Sequence, residues 1–326
     1  MATVRFQNHS CELIAGESVL DGLLRHGVAV PHACKAGSCG SCLMRAAEGE
    51  APAAAQAGLK DSWKARGYFL ACQCQPDRDL AVAEVGGDAR VAAIIASLER
   101  LSPDVLLVRL LCEGGFAFRA GQYVTLVRED NLARSYSIAN LPGDGRAGEG
   151  TIVELHVRLI PDGRMSGWLA GRARPGTRVH LLGPSGECFY VPGREEQPIV
   201  LAGAGTGLAP LYGILRDALA AGHRGEIHLF HGAVRPAGLY LSGELLRMAA
   251  ANENFRYTPA VLSSDEPGPF EVGPIDRILT GRLPKLEGWR GFVCGDPGLV
   301  RSLRKTLFLS GMSMRDIYSD SFQPAV

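Results

Sequence analysis

Four cysteines constrain this chain more than any other feature. His32-Ala33-Cys34-Lys35-Ala36-Gly37-Ser38-Cys39-Gly40-Ser41-Cys42 places three thiols at C-x4-C-x2-C spacing, and Cys72 follows after 29 intervening residues. At such spacing four thiolates hold the two irons of a [2Fe–2S] cluster. The bridging sulfides are acceptors, so the loop must wrap closely and aim backbone N–H groups at them. Gly37 and Gly40 permit the tight turns this needs, and Ala36, Ser38 and Ser41 are small enough for close approach. A zinc site more often shows paired C-x2-C units or His ligands. A set of packed structural thiols is the bland alternative, and the four-residue pattern weighs against it. Cys74 competes with Cys72 for the fourth position, because alternate residues of a strand share a face.

The remaining cysteines inform the compartment. Nine is an odd number, and four are assigned to a cluster, which argues for a reducing, cytoplasmic setting over a disulfide framework. Cys11, Cys112 and Cys188 read as ordinary buried thiols. With 34 basic and 34 acidic side chains the formal net charge is zero, so neither nucleic acid nor an anionic membrane is expected as a partner. The N-terminal Met1-Ala2-Thr3-Val4-Arg5 carries no secretory apolar region. Pro198 to Leu215 runs 18 residues without a charge, near spanning length, but holds four glycines and Pro210. It reads as strand, loop and helix.

A chain of 326 residues predicts two or three domains. In residues 1–88, short strands at Thr3–Phe6 and Cys11–Ile14 flank a turn at Asn8-His9. Ser18 caps a helix to about His26, with Gly27 as its stop. Cys42–Ala46 and Phe69–Gln73 read as further strands, and Gly86-Gly87-Asp88 as a linker. Residues 89–192 alternate and turn often, with strands at Val105–Leu111, Tyr123–Val127, Ser135–Ile138, Ile152–Arg158 and Thr177–Leu182, which predicts an antiparallel barrel. Residues 193–326 predict a parallel-sheet α/β domain, with Pro198–Ala202, Glu226–Val234 and Gly291–Cys294 as strands. The fold class is therefore multidomain: α+β, all-β and α/β.

Two stretches of the barrel carry chemistry. In Arg134-Ser135-Tyr136-Ser137-Ile138 an arginine offers a fork of donors to a phosphate, and an aromatic two positions on points the same way. Alone, this is equally an edge-strand Arg and Tyr. Gly163-Arg164-Met165-Ser166-Gly167 reads as a loop entering a helix, whose free N–H groups suit a pyrophosphate or simply need a cap. Gly183-Pro184-Ser185-Gly186 reads as a turn. In the third domain, Gly203-Ala204-Gly205-Thr206-Gly207-Leu208-Ala209-Pro210 joins a strand to a helix and can admit a pyrophosphate. It lacks the third glycine of G-x-G-x-x-G and the Gly-Lys-Ser/Thr of a Walker loop. Ligands of such sheets gather at the carboxyl ends of strands, which puts Gly203–Pro210, Gly232–Arg235 and Cys294-Gly295-Asp296-Pro297 on one rim.

Taken together these residues resemble known families over nearly the whole chain. Residues 1–88 resemble a plant-type ferredoxin of the β-grasp fold, and the Leu-x-Cys-Gln context of that family implies Cys72 as the fourth ligand with Cys34, Cys39 and Cys42. Residues 89–326 resemble the ferredoxin–NADP reductase superfamily. That resemblance implies FAD on the barrel. Arg134 would contact its pyrophosphate, with Ser135 beside it, Tyr136 packed on the flavin ring and Ser137 near N5. His156-Val157-Arg158 would pass the ring edge, and Gly163, Met165 and Ser166 would meet the phosphates. It implies a nicotinamide dinucleotide on Gly203, Gly205, Thr206, Gly207 and Pro210, with Cys294, Gly295 and Asp296 where nicotinamide approaches the flavin. The tail Ile317-Tyr318-Ser319-Asp320-Ser321-Phe322-Gln323-Pro324 resembles the C-termini of oxygenase reductases. There Phe322, or else Tyr318, would cover the flavin or merely anchor the last strand.

The domain order resembles the reductase components of multicomponent aromatic-ring dioxygenases, the naphthalene and terephthalate types in particular. It implies electron flow from NADH or NADPH through FAD and the cluster to a terminal, Rieske-type oxygenase. The protein's own task is positioning, since the cofactors carry the chemistry. A di-iron monooxygenase, a cytochrome P450 or a sugar dehydrase is an alternative acceptor, and an electron-carrier or redox-sensor module is the non-enzymatic reading. For coenzyme choice, no carboxylate follows the strand Glu226–Val234 before Glu244, and Arg235 is placed to meet a 2′-phosphate or to sit as a solvated charge. The resemblance favours NADH and the residue chemistry leaves NADPH open.

Overall fold

The computed structural model describes residues 2–59, 61–85, 90–144 and 150–322. The expected linker Gly86-Gly87-Asp88 and the tail residues Gln323 and Pro324 lie outside them.

The first unit is a mixed five-stranded sheet. Its elements are β1 (Thr3–Phe6), β2 (His9–Glu12), α1 (Val19–Arg25), β3 (Leu43–Glu48), α2 (Asp61–Lys64), β4 (Tyr68–Leu70) and β5 (Leu80–Ala83), in sheet order β2-β1-β5-β3-β4. Strand β1 pairs with its hairpin partner β2 antiparallel and with the distant β5 parallel. The hairpin turn falls at Gln7-Asn8, so β2 begins two residues earlier than expected. Ser18 caps α1 as the sequence implies: its Oγ accepts from the Asp21 amide at 3.1 Å and donates to the Asp21 carboxylate at 2.7 Å. The buried face of α1, Val19, Leu20 and Leu23, packs under the sheet with Phe69, Leu80 and Cys74. Phe69–Gln73 is not one strand. It breaks after Leu70 into a 3-10 turn over Ala71–Gln73.

The second unit is an antiparallel barrel. It comprises β6 (Arg90–Ser102), β7 (Val105–Cys112), β8 (Tyr123–Val127), β9 (Ala133–Ser137), β10 (Thr151–Arg158), α3 (Arg164–Gly171) and β11 (Arg178–Ser185), in order β10-β7-β6-β11-β8-β9. An Ile138↔Leu155 bridge and the Ala139 amide on the Glu154 carbonyl (2.9 Å) join β9 back to β10. The longest strand, β6, is one the sequence reading did not list. Gly183-Pro184-Ser185, read as a turn, belongs to β11, at a bulge between Leu182 and Ser185. Alternation gives β8 two functions. Val124 and Leu126 fill the barrel core, while Tyr123, Thr125 and Val127 face the first unit, and Val127 packs into that unit's core with Ala133 and Leu182.

The third unit is an all-parallel sheet with helices on both faces. Its elements are β12 (Ile199–Ala204), α4 (Leu208–Ala220), β13 (Ile227–Ala233), α5 (Ser242–Ala251), β14 (Phe255–Val261), β15 (Glu271–Val272), α6 (Ile275–Arg282), β16 (Arg290–Gly295), α7 (Pro297–Leu309) and β17 (Ile317–Ser321). The order is β15-β14-β13-β12-β16-β17. The central β12 is buried from Ile199 to Gly203, which is why its sequence is a continuous apolar run. Among the described residues no helix is long and apolar enough to cross a membrane, and Pro198–Leu215 forms β12, a tight turn and α4.

Candidate functional site

The cysteine loop leaves α1 and turns through Lys35, Gly37 and Gly40, all at positive φ (49°, 75° and 70°). These turns aim donors at sulfur. The amides of Ala36 and Cys39 and the hydroxyl of Ser38 each lie 3.4 Å from Cys34 Sγ, and Ser41 Oγ lies 2.9 Å from Cys39 Sγ. The thiols stand in two pairs. The Cys39 thiol, ahead of Ser38 and the two amides, holds Cys34 well below the usual thiol value, and Cys42, ahead of Gln73, does the same for Cys72. Among the described residues no three His, Cys, Asp or Glu side chains converge as they would around a lone ion. A [2Fe–2S] cluster takes two thiolates on each iron, so pairs ringed by donors to sulfur fit it. The 3-10 turn separates the rivals for the fourth position. Cys74 is fully buried in the core, where burial pushes its thiol up to about 12, while Cys72 turns toward Cys42.

Strand β9 carries the Arg134–Ser137 motif along the outer edge of the barrel sheet. Arg134 is half-buried, which lowers its pKa, and it donates to the Ala133 carbonyl at 2.7 Å. It forms no ion pair among the described residues. A half-buried guanidinium without a carboxylate suits an anionic ligand. Tyr136 lies against the barrel core. Gly163 caps α3, and the first helical bond runs from Gly167 N to Gly163 O (2.7 Å), so the amides of Met165 and Ser166 precede it and have no helical acceptor. The side chains of these two residues are committed elsewhere. Met165 fills the barrel core and Ser166 Oγ accepts from the Ile160 amide. Only their backbone is available to a phosphate. Val157 likewise points into the core and Arg158 is exposed. His156 turns the other way and bonds Tyr240 Oη through Nδ1 (3.1 Å), with burial pulling its pKa down to about 3.

The glycines after β12 divide their work. A Cβ on Gly203 would stand 2.6 Å from the Cys294 carbonyl, and one on Gly207 would stand 2.3 Å from the same oxygen. Both serve the packing of β12 and α4 on β16. Gly205, at φ +54°, has open space where its Cβ would be, ahead of the α4 N-terminus, and there a dinucleotide phosphate fits. Thr206 lies between them half-buried, and Pro210 is buried in the first turn of α4. On the same rim Asp296 is occupied as the cap of α7, accepting from Gly298 N (2.8 Å) and Leu299 N (3.4 Å).

Barrel and sheet meet where β9 touches β17. Register puts Asp320 beside Cys294 and Ser321 beside Gly295, and the Phe322 amide continues the pairing onto the Gly295 carbonyl at 2.9 Å. Ser137 Oγ donates to Asp320 Oδ2 at 2.8 Å. Ser137, Cys294 and Phe322 are thus brought to one seam, and Asp320 joins them, a residue the sequence reading gave no role. Burial raises the Asp320 pKa, opposed by the Ser137 hydrogen bond. Cys294 is fully buried, its Sγ 3.6 Å from Cys188 Sγ. Tyr318 stacks on Phe292 (5.1 Å between centroids) inside the sheet, so it anchors the last strand. Arg235 is not a lone charge. The loop after β14 brings Asp265 to 3.3 Å from it, a carboxylate that the local sequence around Arg235 does not contain.

Comparison with known proteins matches these three units in turn. A 2Fe-2S iron-sulfur cluster binding domain matches residues 3–77, an oxidoreductase FAD-binding domain residues 92–190, and an oxidoreductase NAD-binding domain residues 201–305. The reductase subunit of an aromatic O-demethylase from Amycolatopsis is 37% identical over 95% of each chain. A naphthalene 1,2-dioxygenase system reductase component from Pseudomonas putida is 30% identical over 95% of this chain and 94% of its own. A solved Amycolatopsis cytochrome P450 reductase superposes with a TM-score of 0.68 at 34% identity, covering 99% of both chains. The chain therefore belongs to the family of NAD(P)H-dependent, FAD- and [2Fe–2S]-containing reductase components of aromatic oxygenase systems.

Proposed function

We propose that this chain delivers electrons from a reduced nicotinamide to the terminal component of an aromatic-ring-oxidising system. When bound, FAD takes two electrons as a hydride and releases them singly to the cluster. One observation carries the reading: the short strand β9 touches all three units. Ala133 packs in the core of the cysteine-bearing unit, Ser135 is linked through Thr125 to Cys39, and Ser137 bonds Asp320 of the nicotinamide unit. The three units take residues 1–88, 89–192 and 193–326. Cys34, Cys39, Cys42 and Cys72 hold the cluster, and Arg134 with the Met165 and Ser166 amides holds the FAD phosphates. Gly205 and the start of α4 receive the coenzyme, with Ser137, Asp320 and Cys294 lining the hydride site. Phe322, half-buried at the end of β17, covers that seam. None of the nine cysteines is in a disulfide, which supports a reducing compartment.

The acceptor we favour is a Rieske-type ring dioxygenase, in line with the naphthalene relative. A cytochrome P450 is the second reading, and the likeness to the solved Amycolatopsis cytochrome P450 reductase, at 34% identity, favours it. Rapid mixing of NADH with the holoprotein and either oxidised acceptor decides the matter. Both readings expect NADH to bleach the flavin and then the cluster band. Cys39→Ser is expected to keep the first and lose delivery to either acceptor. Loss of flavin bleaching in that variant, with FAD still bound, would sink the modular reading.

A further inference from the structure

The cysteine loop and the flavin-motif strand are joined by a buried hydroxyl. Thr125, in the middle of β8, is 1% exposed. Its Oγ1 donates to the Cys39 carbonyl at 3.0 Å and lies 2.9 Å from Ser135 Oγ. A hydroxyl has one proton to give, so Ser135 is the donor in the second bond. Two residues earlier on the same face of β8, Tyr123 Oη donates to the Ser38 carbonyl at 2.6 Å. A phenol keeps its proton at neutral pH, so Tyr123 is the donor. Val124 and Leu126, which flank Thr125 in sequence, pack in the barrel core. The entrance to the loop is tied down separately, by Asn131 Nδ2 on the Ala29 carbonyl (3.2 Å) and by the His32↔Leu132 bridge. A valine would fill the Thr125 site equally well, so packing alone gives no reason for a hydroxyl there.

We propose that Thr125 and Tyr123 are positioning residues for the internal electron-transfer step, fixing the cysteine loop at Cys39 against the strand that carries Arg134–Ser137. The inference rests on the reading that those cysteines hold the cluster and that strand the flavin. In the step one electron leaves reduced flavin and enters the oxidised cluster, and no bond forms or breaks. The bonds act on loop carbonyls, not on sulfur, so they set distance and orientation. Electron transfer slows as the distance between the two groups grows, so a cysteine loop released at Cys39 would slow this step without altering either group.

The test uses the holoprotein with FAD and cluster both bound, mixed rapidly with NADH. Thr125→Val and Tyr123→Phe, singly and together, are expected to leave flavin reduction at the native rate. Cluster reduction should slow by about tenfold or more in the double variant, and Thr125→Ser should restore it. Hydrogen exchange of the amides from Ala36 to Ser41 should quicken in the same order, a readout independent of turnover. Native-rate cluster reduction in the double variant, or a Thr125→Ser protein as slow as Thr125→Val, overturns the proposal. If Thr125→Val fails to hold a cofactor, Tyr123→Phe alone carries the test, because it removes only a phenolic oxygen. Native cluster reduction and native exchange in that variant would overturn the proposal equally. Failure of NADH to reduce the cluster in the unaltered protein would instead sink the functional reading on which it rests.

Discussion

Ser137 and Asp320, 183 positions apart in sequence, share a hydrogen bond of 2.8 Å that crosses from the barrel to the last strand of the nicotinamide sheet. Ser137 closes the Arg134–Ser137 motif, whereas Asp320 carries no motif of its own. Their meeting makes the seam between barrel and sheet a polar one, with an acid buried in it.

That acid has a pH signature. Burial raises the folded pKa of Asp320 above its ordinary value, with Ser137 opposing. Between the unfolded and folded values the folded chain binds more protons, so the Asp320 contribution to stability falls as pH rises through that window. Asp320→Asn removes the penalty of burying a charge. Thermal melting should show the variant above the native protein at pH 7, with the two converging below about pH 3, where the acid is protonated in both states. Ser137→Ala leaves the carboxylate without its donor and should cost about 1–3 kcal/mol. If the pair lines the hydride site, either change also slows flavin reduction by NADH, by about a hundredfold. A melting curve for Asp320→Asn parallel to the native one at every pH would contradict this account.

Cys72 and Cys74 should behave oppositely. Cys72→Ser removes a thiol paired with Cys42 and should abolish the native visible and EPR spectra of the cluster. Cys74→Ser puts a hydroxyl into a fully buried apolar position. It should retain those spectra and lower stability by about 1–3 kcal/mol in denaturant titration. Native spectra in the first variant and their loss in the second would exchange the assignments.

The three glycines after β12 should separate into two classes. At Gly207 an added methyl meets the Cys294 backbone carbonyl, which no rotamer can move aside. Gly207→Ala should therefore destabilise by about 1–3 kcal/mol or more, as overpacking does. At Gly205 the space is open and only the left-handed φ resists, a cost of about 1–2 kcal/mol. Coenzyme KM should rise in Gly205→Ala beyond what its stability loss explains. Unchanged KM there would remove Gly205 from the binding loop.

Coenzyme choice turns on Arg235 and Asp265. The pair is exposed, so it adds little to stability. If Arg235 meets the coenzyme's 2′-position, Asp265 sets a carboxylate where a 2′-phosphate would approach. NADH should therefore be preferred. Asp265→Ala should raise kcat/KM for NADPH, and Arg235→Ala in that background should cost NADPH about 1–3 kcal/mol while sparing NADH. Equal changes for both coenzymes would remove the pair from any selecting role.

Legibility in the sequence followed the range of the forces involved. The Ser18 cap and the apolar β12 run are local, and each is found where it was expected. Cys72 and Cys74 remained ambiguous because a strand was assumed, and only the 3-10 turn after Leu70 sends them apart. Strand β6 was missed because its burial does not follow a simple alternation along its length. Asp320, Asp265 and Thr125 were illegible for a common reason. Each acquires its meaning from a partner on another element, and no window of sequence contains both members of the pair.

Strand β1 pairs in parallel with β5, Val4 opposite Leu80, and the Thr3 amide is bound 2.8 Å from the Asp79 carboxylate across 76 positions. The four cysteines from Cys34 to Cys72 lie inside the loop that this pairing closes. On a ribosome they emerge before the sheet that frames them can form, because β5 is the last of its strands to be synthesised. Contacts of such separation require a large loop to close before they stabilise anything. The cysteine-bearing unit therefore cannot close around its thiols until β5 is available, and until then no sheet frames them.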